Sequence, residues 1–118
     1  MFNWNEYLTL AEELSQRTDE SSKRSSISRA YYSAFCNARA YLSKKEFMYS
    51  SKDSAHAKVW NSFSMLGSKG QKISIDGDRL KRRRVRADYE NEMSDLKKET
   101  TLAILEAKSI TSAINQLK

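Results

Sequence analysis

The chain has 118 residues, with 21 Lys and Arg against 15 Asp and Glu and no proline. That length suits a single domain over residues 1–118, and the lone Cys36 and lone His56 exclude an intramolecular disulfide, a multi-cysteine metal site and a zinc site built on several histidines. No apolar run exceeds Leu102 to Leu105, and Glu6, Glu12 and Glu13 stand where a secretory leader would be apolar, so a cytoplasmic protein that does not enter a membrane and needs no cofactor is expected.

The first helix shows in Trp4, Tyr7, Leu8, Ala11 and Leu14, spaced three and four apart with polar residues between. Residues 18–26, rich in Ser, read as a turn offering N-cap oxygens to a second helix from about Ser25 to Lys44. Ile27, Ala30, Tyr31, Ala34, Phe35, Ala38, Tyr41 and Leu42 form the core stripe of that helix. Its other side, with Ser28, Arg29, Tyr32, Cys36, Arg39 and Ala40, is small, aromatic or basic instead of carrying the usual Glu and Lys. Such a face suits contact with a partner subunit.

Residues 46–54 read as a loop, with Asp53 or Ser54 capping a third helix that carries His56, Val59, Trp60, Phe63 and Leu66 and stops at Gly67. All the glycines lie within residues 67–77, which reads as a flexible crossing between helices. Asp76 or Asp78 then caps a short basic helix. A last helix, about Ser94 to Leu117, has Leu96, Thr100, Ala103, Ala107, Ile110, Ile114 and Leu117 along one seam. The sum is an all-α bundle of four long helices and one short basic one.

The basic helix holds the whole charge excess of +6, since Arg79, Lys81, Arg82, Arg83, Arg84 and Arg86 removed leave equal numbers of cations and carboxylates. Its cations are not equivalent. On a helical wheel Leu80, Ala87 and Asp88 fall within about 60° of Arg84, while Arg79, Arg82, Arg83 and Arg86 gather on the far side. Arg84 should therefore face the bundle or a subunit seam and pair with Asp88, and the other four should form an outward ridge suited to phosphate or to an ordinary solvated surface.

The stretch ISRAYYSAFCNARAYL (27–42), followed by His56 and then by RVRADYE (84–90), resembles the HEPN-domain proteins, in the branch with an S-R-A-Y-Y motif, a later His and R-x-x-A-D-Y. The resemblance implies a HEPN-like antiparallel four-helix bundle, here with an additional short basic helix. It also implies a homodimer in an RNA-directed system of toxin–antitoxin or antiviral type, partnered by a minimal nucleotidyltransferase. Many such proteins are metal-independent ribonucleases that use an Arg followed four to six residues later by His. This chain departs from that pattern, because Asp88 and Tyr89 stand where the His belongs and His56 precedes the basic helix. The resemblance thus points to Arg84, Asp88, Tyr89 and His56 as candidate catalytic residues. The departure leaves open a non-catalytic subunit that binds RNA, a nucleotide or its partner, and composition alone leaves open a helical adaptor whose basic ridge meets an acidic protein.

Overall fold

The computed structural model describes residues 1–45 and 55–117, and those residues form five α-helices and no strand. They are α1 (Asn5–Ser15), α2 (Glu20–Lys44), α3 (Ala55–Phe63), α4 (Gly67–Tyr89) and α5 (Leu96–Gln116). The expected loop and the Asp53 or Ser54 cap lie outside the described residues. No helix among the described residues is long and apolar enough to cross a membrane.

The second helix starts earlier than its Ser-rich sequence suggests. Asp19 is the N-cap and accepts from the Ser22 amide at 3.0 Å and the Ser22 hydroxyl at 2.7 Å. Those bonds, with one from the Ser21 hydroxyl, pull the Asp19 carboxyl down to about 2. The serines expected in a turn are therefore helical, and they add a first turn and a half to α2. Ser26 is fully buried and donates to the Ala11 carbonyl of α1 at 2.6 Å, so a polar residue serves the α1–α2 contact.

Every other helix packs on α2. Ile27, Ala30, Tyr31, Ala34, Ala38 and Leu42 are all fully buried, and the alanines among them let neighbouring backbones approach closely. The seam expected on α5 is present as buried Thr100, Ala103, Ala107, Ile110 and Ile114, joined by Ile104.

The largest departure concerns residues 67–77. They are not a flexible crossing but the first half of α4, and the basic stretch is the second half of that 23-residue helix instead of a short helix of its own. Asp76 and Asp78 accordingly lie mid-helix and cap nothing. Each glycine has a local reason. Gly67 turns the chain from α3 into α4 with φ of 76°, a conformation that disfavours a Cβ. Gly70 and Gly77 mark where α3 crosses α4: a Cβ at Gly70 would overlap the Phe63 carbonyl, and one at Gly77 would overlap the indole of Trp60. Their low helix propensity is offset by the packing their missing side chains allow.

The far end of α4 is fastened by Arg24 of α2. Its guanidinium donates to the carbonyls of Ala87 at 3.0 Å, Glu90 at 2.6 Å and Asn91 at 3.4 Å, oxygens left without partners where a helix ends. Its Nε donates to Glu20 at 2.8 Å. This clamp sets the height of Arg84 against α2.

Gly77→Ala would gain about 1 kcal/mol in an open helix. Here the overlap with Trp60 should reverse the sign and cost about 1–3 kcal/mol. The urea midpoint of the variant against that of the natural chain measures it.

Candidate functional site

At the junction of α2, α3 and α4 one hydroxyl has two partners. Trp60 donates its indole N–H to the Tyr31 oxygen at 3.1 Å, and Tyr31 Oη lies 2.7 Å from His56 Nδ1. The indole N–H fills one acceptor position of the hydroxyl oxygen, and the hydroxyl can give its own proton to Nδ1 when the imidazole is the Nε2–H tautomer. Burial pushes the Tyr31 phenol well above its usual value, which keeps that proton in place. In that tautomer Nδ1 of His56 is the acceptor and Nε2 carries the ring proton. Burial first, then the charges of Arg84, Lys81 and Arg39, pushes the His56 pKa below its ordinary value, so the ring is neutral at neutral pH. Phe35 stacks on it at a centroid distance of 4.3 Å.

Arg84 comes to the same place from α4. It faces inward, as its wheel position requires, and is 8% exposed. Its guanidinium carbon stands 5.3 Å from the centre of the Tyr31 ring and 5.5 Å from that of Tyr32. The expected pair with Asp88 forms, but at a long 3.4 Å, and the buried Nε has no hydrogen-bond partner. Ser28 shares Asp88, donating to the same oxygen at 3.4 Å. An arginine with five donors is here nearly desolvated and thinly paired, a state in which hydrogen bonds to an oxyanion would be strong.

Further cations surround this point. Arg29 lies over the rings of Tyr7 and Tyr32 at 4.7 and 5.2 Å, and Arg39 lies over Phe35 at 5.5 Å. Among the described residues no carboxylate is within ion-pair distance of either. Of the face expected to contact a partner, Ser28 and Cys36 are buried within the chain itself, Arg29 and Tyr32 are half-buried, and Arg39 is exposed. Burial raises the Cys36 thiol pKa despite Arg39 and Arg29, and the side chain packs within the core.

The other candidates are placed differently. Tyr89 closes α4 with 73% of its surface exposed, about 140° around the helix from Arg84, and does not join the cluster. The arginine ridge is not simply outward. Arg83 donates to Glu106 of α5 at 2.7 Å and lies 3.6 Å from Glu99. Arg86 pairs with Glu99, and Arg79 with Asp76 at 3.2 Å and Glu106 at 3.5 Å. Only Arg82, paired with Asp78 on its own helix and 71% exposed at its side chain, stands clear of α5. Glu99 and Glu106 are a heptad apart, a spacing that places both on one face of α5, opposite Arg79, Arg83 and Arg86. Sequence reasoning passed over that signal, and over Arg24, Tyr31 as a bridge and Trp60 as a donor. At Glu106 burial raises the carboxyl pKa even though Arg83 and Arg79 oppose it, so desolvation outweighs the pairing.

Comparison of the chain with protein-family models, with curated proteins and with solved structures finds no match.

Arg82 and Arg83 should separate sharply on mutation. Arg82→Ala should change stability by less than about 0.5 kcal/mol, as an exposed pair does. Arg83→Ala removes the cation shared by two shielded carboxylates, leaving Glu99 to Arg86 and Glu106 to Arg79, and should cost about 1–3 kcal/mol. Chemical denaturation of both at neutral pH checks the difference.

The lowered His56 pKa has a definite sign in stability. The unfolded chain takes up the proton first, so folding weakens as pH falls below about 6.5 and goes on weakening until the native imidazole titrates. A series of melting temperatures from pH 8 to pH 5 should fall less steeply in His56→Gln than in the natural chain.

Proposed function

We propose that this chain is a HEPN-like helical subunit that binds the phosphate of RNA or of a nucleotide at Arg84, without cutting it. One observation carries the reading: the buried, under-paired guanidinium of Arg84, set between Tyr31 and Tyr32. Arg29 and Arg39 add positive charge beside it, and the amphoteric ring of His56 offers Nε2–H as a further donor. A phosphate oxygen brought to Arg84 would satisfy its unused donors and gain from the low local dielectric. Cleavage needs a base as well, and His56 is poorly placed to be one. In the tautomer that accepts the Tyr31 proton at Nδ1, the free lone pair of the ring is already engaged and Nε2 is protonated. Tyr89, the residue at the position of the family's histidine, points elsewhere.

The resemblance supplies the setting: a homodimer in the cytoplasm, within a toxin–antitoxin or antiviral system, working with a minimal nucleotidyltransferase. The four-helix HEPN arrangement and this setting rest on the motifs alone.

A second reading, the metal-independent ribonuclease, is favoured by the convergence of Arg84 and His56 from separate helices on Tyr31 and Tyr32. Two measurements separate them. Binding of a labelled RNA should weaken at least about tenfold in Arg84→Ala, the loss expected for hydrogen bonds to a charged group. The same substitution at Arg82 should mainly flatten the salt dependence. In metal-free buffer the natural chain should leave the RNA intact. Cleavage that disappears in His56→Asn would overturn the binding reading in favour of the ribonuclease.

A further inference from the structure

We infer that the Arg84 site continues as a track of alternating arginines and aromatic rings toward the N-terminal end of α1, and that its ligand is a single-stranded polynucleotide. The inference rests on the phosphate reading above and names the ligand class.

The track runs through residues from three parts of the chain. Arg84 and Arg29 both lie over Tyr32, at 5.5 and 5.2 Å, and Arg29 also lies over Tyr7 at 4.7 Å. From Tyr7 the contacts pass to Trp4, with centroids 5.5 Å apart, and to Phe2 at 5.4 Å, while Phe2 and Trp4 meet edge to face at 4.9 Å. Packing explains only part of this group. Trp4 lies against the core, but Phe2 and Tyr7 do not, and Phe2 is 47% exposed. Phe2 is exposed beside the half-buried Trp4 and Tyr7, so the three rings leave a partly open aromatic edge at the start of α1. Arg29, which joins them to Arg84, has no carboxylate at ion-pair distance among the described residues. The ridge arginines on the opposite side of α4 are, in contrast, matched by Glu99, Glu106 and Asp78. On the aromatic side Arg29 is unmatched and Arg84 has only the 3.4 Å contact to Asp88.

Rings interleaved with an unpaired Arg29 and a thinly paired Arg84 fit a strand whose bases are free to stack and whose phosphates need countercharge. A duplex keeps its base faces inside the stack and offers them to no ring. A mononucleotide would occupy Arg84 and leave the rings at α1 unused.

The test compares three probes: AMP, an oligoadenylate of about eight nucleotides, and the same strand annealed to oligouridylate. The natural chain should bind the single strand more tightly than AMP or the duplex. Binding should quench the fluorescence of Trp4, a signal that Trp4→Phe removes, because Trp60 is only 1% exposed and shielded from the ligand. Phe2→Ala and Tyr7→Leu should each weaken the single strand by about fivefold to a hundredfold, the range for losing one stacked base, and leave AMP unchanged. Phe2→Trp should keep the affinity. Unchanged strand binding in both Phe2→Ala and Tyr7→Leu, or a duplex bound as tightly as the single strand, would overturn the track while leaving phosphate binding at Arg84 in place. If the natural chain binds neither AMP nor the strand, the phosphate reading fails and the track with it.

Discussion

A buried tyrosine hydroxyl governs the centre of this molecule. Tyr31 is fully buried on the helix that every other helix touches, and its oxygen must find partners where water is excluded. It finds them on α3, taking a hydrogen bond from Trp60 and giving one to His56. Those two bonds tie α3 to α2, while burial and the nearby cations keep the imidazole neutral. The face of the same tyrosine then carries the guanidinium of Arg84. One side chain therefore ties three helices together and also forms the floor of the candidate site.

The position of Arg84 depends on features well away from it. Gly70 and Gly77 let α3 lie against α4, and the indole that fills the space over Gly77 is the one that donates to Tyr31. At the other end Arg24 gathers the last carbonyls of α4 and joins that helix to the first turn of α2. Without these close contacts a helix as polar as α4 would have little apolar surface to hold it, since its buried apolar side chains are Ile73, Leu80 and Ala87. The arginine is presented by backbone fit as much as by hydrophobic burial.

The basic stretch divides its charge between two tasks. Arg79, Arg83 and Arg86 meet Glu99 and Glu106, which aligns α4 with α5. At Glu106 burial raises the carboxyl pKa despite Arg83 and Arg79, so desolvation offsets much of the attraction there. With that charge matched inside the fold, the ridge arginines add less to the open surface than their number suggests, whereas Arg29 and Arg39 have no carboxylate at ion-pair distance among the described residues. A run of cations in sequence and a positive surface in space are different things here.

Periodicity alone determined the all-α class, the stripe of α2, the seam of α5 and the inward direction of Arg84, because a helix repeats every 3.6 residues whatever it packs against. The same wheel carried Tyr89 away from Arg84. The beginning of α2 was misread since serines serve turns and first helical turns alike, and only the cap at Asp19 distinguishes them. Residues 67–77 read as flexible because glycine disfavours an isolated helix, whereas in the bundle Gly70 and Gly77 are the points of closest approach. The meeting of Tyr31, His56 and Trp60, the clamp of Arg24 and the pairing of the arginine ridge with α5 were decided by tertiary structure. Each joins residues far apart in the chain through distances that no local pattern encodes, and each exists because packing removed water from polar groups that then had to satisfy one another.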